Sequence, residues 1–231
     1  ILAELNRYKE ALKLYKKATN IQNNYVEAWN KKGHVLYKLE EYNDALEAYE
    51  KAIQINSNNP DEILKAWIGR GFVLDKLERF DEALSSFDRA VRLEPESHSA
   101  WQGKGDILFY LQKYEAAIES YKKTLKIKDV SYDAWYNIGQ CYHKIEQYKE
   151  AGKAYEKAVE LKPDKAIAWY NLGNIFLEHL EKYEEAVKAY DKAVRFAPDY
   201  AAAWYSRGNA LMKWEKPEDA VDSYEKALAL K

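Results

Sequence analysis

Small and aromatic residues recur along the chain at a spacing that predicts pairs of amphipathic helices. Six of the seven tryptophans follow one another at nearly equal intervals, and a glycine stands four residues after each of the six. The six pairs are Trp29 and Gly33, Trp67 and Gly71, Trp101 and Gly105, Trp135 and Gly139, Trp169 and Gly173, and Trp204 and Gly208. Residues four positions apart lie on the same side of an α-helix. Each pair therefore predicts one helix, which we call a first helix.

A second helix is predicted downstream of each glycine. An alanine follows every glycine at a spacing that is constant except for one added residue after Gly173, and an aromatic ring comes four residues after the alanine. The alanines are Ala45, Ala83, Ala117, Ala151, Ala186 and Ala220, and the rings are Tyr49, Phe87, Tyr121, Tyr155, Tyr190 and Tyr224. Because side-chain bulk is minimal at the glycine and alanine positions, we expect each first helix to pack closely against its second helix.

These positions carry a family resemblance. Segments such as AWYNLGNIFL followed by YEEAVKAYDKAVRFAPD resemble the tetratricopeptide repeat, whose unit of roughly 34 residues is a pair of helices. Pro95, Pro163 and Pro198 fall where the repeat closes its second helix. The resemblance implies an all-α fold, a right-handed superhelical α-solenoid of antiparallel helix pairs.

The pattern divides the whole chain into seven repeats of a single solenoid domain. The predicted boundaries are residues 1–25 (truncated), 26–63, 64–97, 98–131, 132–165, 166–200 and 201–231. Tyr8, Ala11, Tyr15 and Ala18 match the second helix alone, so the chain is expected to begin inside a first helix. We therefore interpret the sequence as part of a longer protein.

Two insertions and the turns between helices give local predictions. Four extra residues around residues 57–62 predict a longer first helix with Asn59 as its N-cap. One extra residue near 177–180 predicts either a longer turn or a bulge at the end of a helix. Asn43 and Asp44, just before the helix led by Ala45, are predicted to cap that helix.

Composition and charge narrow the classes of function. The chain has 36 Lys and Arg against 38 Asp and Glu, a net charge of −2, so no overall positive field favours nucleic acid as a partner. No apolar run is long enough for membrane insertion. One cysteine allows no internal disulfide, which is typical of a reducing compartment, and we expect a cytoplasmic location.

Catalytic chemistry is not indicated. The four histidines lie in different repeats, and Cys141 and His143 fall nearly opposite each other on a helix, which disfavours metal or Cys–His chemistry. No phosphate-binding glycine loop or nucleophile elbow is present. We expect no catalytic site, no metal site and no cofactor in this part of the protein.

The resemblance implies an inner groove, lined by the first helices, that holds a peptide or partner segment. The candidate groove residues follow the tryptophans by one or five positions: Asn30, His34, Phe72, Gln102, Asp106, Tyr136, Gln140, Tyr170, Asn174, Tyr205 and Asn209. The tyrosines are either ordinary residues of the repeat or a ladder of rings that, with Asn174 and Asn209, grips a peptide backbone. The carboxylate clamp that holds acidic chaperone tails requires lysine directly after the tryptophan, and no repeat has one there.

Basic residues three positions after four of the tryptophans allow two interpretations. Lys32, Arg70, Lys104 and Arg207 either pack their stems and direct their charged ends to solvent or to a neighbouring acid, or they reach the groove. In the second case they would join Lys31 and Lys65 and make the first half of the groove suited to an acidic peptide.

The sequence therefore predicts a protein–protein interaction scaffold or adaptor whose partner is unknown. Two alternatives are a self-assembling structural scaffold and the substrate-recruiting region of a larger enzyme. The second-helix faces carry many Lys and Glu residues, such as Glu47 and Lys51, which favours the adaptor. The last helix has no polar cap, so we also expect end-to-end self-association, which light scattering after gel filtration tests.

Overall fold

The computed structural model describes residues 7–55, 58–127 and 130–230. These residues form thirteen α-helices and one π-helical segment, without a β-strand, so the predicted all-α fold is confirmed. The helices are α1 (Tyr8–Ile21), α2 (Val26–Lys38), α3 (Tyr42–Gln54), α4 (Pro60–Lys76), α5 (Phe80–Leu93), α6 (His98–Tyr110), α7 (Tyr114–Ile127), α8 (Tyr132–Lys144), α9 (Tyr148–Leu161), α10 (Ala166–Asn174), the π-helical segment (Ile175–His179), α11 (Tyr183–Phe196), α12 (Ala201–Lys213) and α13 (Pro217–Ala229).

The helices belong to two compact units, Ile1–Ile127 and Lys128–Lys231. In the first unit α2 pairs with α3, α4 with α5 and α6 with α7, and α1 packs against α2. In the second unit the pairs are α8 with α9, α10 with α11 and α12 with α13. The predicted start of the chain inside a first helix concerns residues 1–6, which lie outside the described residues.

The turn inside each pair has a left-handed residue. Glu40, two residues after the end of α2, has a φ of 62°. Its N–H donates to the carbonyl of Tyr37, and the N–H of Glu41 donates to the carbonyl of Leu36 at 3.0 Å. This is the Schellman arrangement, which pairs the last carbonyls of a helix and reverses the chain. The equivalent residues are Glu40, Glu78, Gln112, Glu146, Glu181 and Glu215, with φ between 52° and 62°.

The predicted caps of the second helix are wrong. Helix α3 already begins at Tyr42, so Asn43 and Asp44 lie inside its first turn, and the N-cap residue Glu41 makes no side-chain cap bond. The ring of Tyr42 instead contacts Tyr37 at the end of α2, with ring centroids 5.8 Å apart. The Schellman turn ends at Glu41, so α3 starts at Tyr42 without a side-chain cap.

Both insertions have clear structural outcomes. Helix α4 has 17 residues where α2 has 13, and the side chain of Asn59 accepts a hydrogen bond from the N–H of Glu62, so the predicted cap is confirmed. The single extra residue in the sixth predicted repeat forms the π-helical segment, in which the N–H of Leu180 donates to the carbonyl of Ile175. It is therefore a bulge, and the longer turn is excluded.

The tryptophan period has a physical cause in hydrogen bonding. The indole N–H of Trp101 donates to the carbonyl of Pro95, six residues earlier, at 2.8 Å. The same bond joins Trp29 to Asn23, Trp169 to Pro163, and Trp204 to Pro198, at 2.8 to 2.9 Å. The indole thus attaches the first turn of each of these first helices to the loop before it while the ring packs against neighbouring helices.

Candidate functional site

A cavity of about 640 Å³ lies in the first unit between α2 and α4. Three candidate residues, Asn30, His34 and Phe72, line it. The lining also includes Lys31, Tyr37, Tyr49, Glu62, Lys65 and Ile68. The cavity therefore combines aromatic and aliphatic walls with a few polar groups, as ligand pockets usually do.

Asn30 is held by a network that involves the additional turn of α4. Its side chain is buried, and its Nδ2 donates to the backbone carbonyl of Glu62 at 2.8 Å and to Glu62 Oε2 at 2.7 Å. The second carboxylate oxygen of Glu62 accepts from Lys65 at 2.5 Å. Burial alone would raise the pKa of Glu62, but the hydrogen bonds from Lys65 and Asn30 hold this pKa below its ordinary value. Glu62 is thus ionised at neutral pH and fixes the amide of Asn30.

Two polar groups at the cavity have no hydrogen-bond partner among the described residues. Both acceptors around Asn30 face its Nδ2, so its Oδ1 is left buried and unpaired. The hydroxyl of Tyr49 also has no such partner, and burial raises its pKa strongly. His34 stands nearby with a pKa lowered by burial and by Lys38 and Lys31, so its imidazole is mainly neutral at pH 7.

Several candidates five residues after a tryptophan contact the aromatic ring of their own second helix. The hydroxyls of Tyr121, Tyr190 and Tyr224 donate to side-chain oxygens of Asp106, Asn174 and Asn209, respectively, at 2.7 to 2.9 Å. Phe72 instead meets Phe87 edge-on, with centroids 5.2 Å apart. This pairing is visible in the sequence. Where the second-helix ring is a tyrosine, the residue five positions after the tryptophan is polar, and where that ring is a phenylalanine, the residue is a phenylalanine. Gln102 donates to Asp106 at 3.0 Å, and Gln140 is half-buried on α8.

The three candidate tyrosines of the second unit also pack against rings of the second helices. Tyr136 lies 5.7 Å from Tyr155, Tyr170 lies 6.0 Å from Tyr190, and Tyr205 lies 5.7 Å from Tyr224, measured between centroids. Exposure differs along this row. Tyr136 is half-buried and its hydroxyl accepts from Asn171 at 3.0 Å, whereas Tyr205 is 56% exposed. Each of the three rings therefore packs against a ring of its second helix, and Tyr205 is the most exposed of the three.

The basic residues after the tryptophans bind second helices. Arg70 donates to Glu50 on α3 at 3.1 Å and to Ser86 on α5 at 2.6 Å. Lys104 pairs with Asp88 at 2.7 Å, and Arg207 binds Asp191 and Ser223. The charged ends of these three residues therefore pair with acids, and the hypothesis that they reach the groove is wrong for them.

Two histidines from different predicted repeats meet in the second unit. The centroids of His143 and His179 lie 5.4 Å apart, and Tyr148 stacks on His179 at 3.6 Å. The π-helical segment contains His179 and positions it against α8 and α9, which could not be predicted from sequence spacing. No group of three or more His, Cys, Asp or Glu side chains in the described part of the chain is arranged to hold a metal ion.

This histidine pair predicts that stability falls in mild acid. Burial, His179 and Lys144 lower the pKa of His143 below 6.5, so the unfolded chain takes up a proton at higher pH than the folded chain. The free energy of unfolding should therefore decrease as the pH falls from about 7.5 to about 5.5. We expect His143→Gln to reduce this decrease, as measured by urea denaturation at both pH values. Equal pH dependence in the variant and the parent would contradict the prediction.

Comparison with family models identifies the repeat. A model described as tetratricopeptide repeat matches residues 26–59, 132–165 and 201–231, and a model described as TPR repeat matches residues 1–40, 105–146 and 180–213. Two further tetratricopeptide repeat models match residues 154–188 and 64–97. The chain belongs to the tetratricopeptide repeat family. No curated protein sequence matches it.

Solved structures share the fold, among them two that are described as tetratricopeptide repeat (TPR) proteins. The crystal structure of MamA is 25% identical in sequence, covers 69% of this chain and 93% of its own, and superposes with a TM-score of 0.66. YrrB, described as a TPR protein with an unusual peptide-binding site, is 24% identical over 84% of this chain and 97% of its own, with a TM-score of 0.70. The C-terminal part of a TPR protein from Cytophaga hutchinsonii is 18% identical over 100% of this chain and 93% of its own, with a TM-score of 0.81. At these identities the last two show the fold alone.

Among the helices that the structure describes, none is both long and apolar enough to cross a membrane.

Proposed function

We propose that this TPR chain is a protein-interaction module that binds an extended peptide or partner segment on the surface formed by its first helices. The proposed role is binding, without catalysis. The observation that carries it is the row of oriented polar groups and tyrosine rings in the second unit. Tyr136, Tyr170 and Tyr205 provide the rings, and Asn174 and Asn209 provide the amides.

Two tyrosines of the second helices orient the two amides. Because the hydroxyls of Tyr190 and Tyr224 donate to the Oδ1 atoms of Asn174 and Asn209, the Nδ2 atoms are left to donate elsewhere. Neither Nδ2 has a partner among the described residues. Such donors suit the carbonyls of an extended peptide backbone, and the adjacent rings supply apolar contact area at low entropic cost.

The opposite surface of the second helices supports an adaptor over a self-assembling scaffold. Glu156, Lys157 and Glu160 on α9 are exposed, and Lys157 pairs with Glu160 at the surface. Surfaces of this kind are solvated and do not favour association.

End-to-end association of this chain is a separate prediction. Val221 and Leu228 on α13 are 55% and 66% exposed, whereas Leu46 and Val91, at the matching positions of α3 and α5, are buried. We expect dimers or higher species at high micromolar concentration, measured by light scattering after gel filtration, and we expect Leu228→Glu to abolish them. A monomeric mass for the parent at that concentration would refute this.

The tyrosine row gives the test of peptide binding. Peptides are first selected from a random display library by binding to the parent chain. Their affinity for the triple variant Tyr136→Ala, Tyr170→Ala, Tyr205→Ala should be at least about tenfold lower than for the parent. Circular dichroism melting checks that the variant is folded, since Tyr136 also contributes packing. The control variant, Glu156→Ala, Lys157→Ala and Glu160→Ala, should retain affinity. Unchanged affinity of the tyrosine variant for every selected peptide would refute the proposal.

A further inference from the structure

We propose that the cavity between α2 and α4 binds an acidic segment of a partner protein that inserts one apolar side chain. This proposal rests on the proposed function, because it specifies a second, chemically distinct contact for a partner segment in the first unit. The cavity is formed entirely by residues between Asn30 and Ser99.

The additional turn of α4 provides one wall of this cavity. Helix α2 begins three residues before Trp29, whereas α4 begins seven residues before Trp67. Glu62 lies in this additional turn and binds Asn30 of α2 through its carbonyl and its carboxylate. The four-residue insertion thus connects the start of α4 to α2 by hydrogen bonds. The cavity depends on this insertion, so it is not a general feature of the repeat.

Two polar groups of the cavity, the Oδ1 of Asn30 and the hydroxyl of Tyr49, lack hydrogen-bond partners among the described residues, and a ligand can supply these partners. Asn30 is only 6% exposed, and its Oδ1 is an unpaired acceptor because its Nδ2 is committed to Glu62. A buried acceptor without a donor is unfavourable, so a ligand N–H that reaches Asn30 after a small side-chain adjustment is favoured. The unpaired hydroxyl of Tyr49 at the same cavity can donate to a ligand carbonyl. An N–H and a carbonyl together are the groups of a peptide backbone.

The apolar walls and the charge of the rim define the partner. Tyr37, Ile68 and Phe72 line the cavity with carbon surface, which suits an aliphatic or aromatic side chain. Lys31 and Lys65 are exposed at the cavity, and Glu62 is the one carboxylate among its described lining residues. Both oxygens of Glu62 are already bonded, and Lys31 has no ion-pair partner among the described residues. Because Glu62 compensates Lys65, the described lining residues carry one uncompensated positive charge, at Lys31, which complements an aspartate or glutamate beside the inserted side chain.

The test uses three acetylated and amidated pentapeptides titrated into the ¹⁵N-labelled chain. The first is Gly-Asp-Leu-Asp-Gly, the second replaces both acids by lysine, and the third replaces leucine by glycine. We expect the first to shift the side-chain amide of Asn30 and the backbone amide of Gly69 with saturation, and the other two to bind at least about tenfold more weakly. Equal binding of the lysine peptide or of the glycine peptide would overturn the proposed partner chemistry.

Charge reversal locates the contact. Lys31→Glu should weaken binding of the acidic peptide about tenfold and strengthen binding of the lysine peptide, while Lys51→Glu, on exposed α3 surface away from the cavity, should change neither. Lys31 is exposed, so neither variant is expected to unfold the chain. Saturable shifts confined to α8, α10 and α12 would refute this cavity as the site and leave the proposed function standing. Absence of a saturable shift with any of the three peptides would also refute the cavity as a binding site. The display selection and the tyrosine variant test the proposed function separately.

Discussion

A single methyl group added at Gly103 is expected to destabilise the first unit by about 1–3 kcal/mol, even though alanine is the better helix former. A Cβ at this position would lie 2.4 Å from two ring carbons of Phe87. That ring is 1% exposed, and a Cβ at Gly71 would approach it to 2.7 Å. The ring therefore lies between two glycines and cannot move aside without displacing a helix.

Gly152 supplies the matched control. It is also a buried helical glycine, but a Cβ there would have its nearest neighbours at 3.6 Å, on Ile175, and at 4.0 Å, on Leu180, which is ordinary van der Waals contact. Gly152→Ala should therefore stabilise the chain by about 0.5–1 kcal/mol through helix propensity. Urea denaturation of both variants measures the contrast. Similar changes of the same sign in the two variants would show that ring contact does not determine the cost.

A double-mutant cycle tests whether the cost of Gly103→Ala arises from contact with the ring of Phe87. Phe87→Leu removes the ring atoms that the new methyl group would meet, at the expense of a partly empty site. In the Phe87→Leu background we expect Gly103→Ala to cost at least about 1 kcal/mol less than in the parent. An unchanged cost would place the strain elsewhere.

The glycines and rings show why so much of the fold was predictable. Glycine four residues after tryptophan and a ring in the second helix are two sides of one contact, seen at Gly71 with Phe87 and at Gly139 with Tyr155. A contact that recurs at constant spacing leaves a periodic trace in the sequence. The helix pairs, the cap at Asn59 and the all-α class followed from that trace.

The ion pairs could also have been predicted from the sequence. Arg207 is separated by the same number of positions from Asp191 before it and from Ser223 after it, and Lys104 stands midway between Asp88 and Ser120 at that same spacing. Glu50, which pairs with Arg70, lies further back in the sequence by the length of the four-residue insertion. A search for acids at this shared spacing, lengthened by the insertion for Arg70, would have paired these residues and excluded the groove-reaching interpretation for them.

The cavity and the histidine pair could not be read from spacing. Asn30 meets Glu62 only because the inserted turn extends α4 in one particular direction, and His143 meets His179 only because the extra residue forms a π-helical bulge. In both cases an insertion shifts a side chain relative to the repeat. Periodicity fixes what the repeats share, whereas these features arise where two neighbouring repeats differ.

Glycine substitution at the six left-handed turn residues is expected to stabilise the protein by about 3–6 kcal/mol in total. Each non-glycine residue at positive φ is penalised by roughly 1–2 kcal/mol through contact between its Cβ and the backbone. Glycine removes this penalty but loses about 0.5–1 kcal/mol in chain entropy, which leaves a net gain of about 0.5–1 kcal/mol per site. The sites are Glu40, Glu78, Gln112, Glu146, Glu181 and Glu215, all of them exposed, so no buried contact is lost. The turns are separated by whole helix pairs, so their effects should add.

The turn conformation itself is what the substitution tests, so the control keeps the same chemical change and alters only the backbone. Glu47 is exposed in the middle of α3, where φ is helical, and Glu47→Gly should destabilise by about 1 kcal/mol. Thermal and urea denaturation of the single variants Glu40→Gly, Glu146→Gly and Glu47→Gly, followed by the six-site variant, measure the series. If Glu40→Gly and Glu47→Gly destabilise to the same extent, the left-handed turns carry no recoverable strain. Opposite signs would show that the chain places glycine where helices need space and leaves glutamate where the backbone needs glycine.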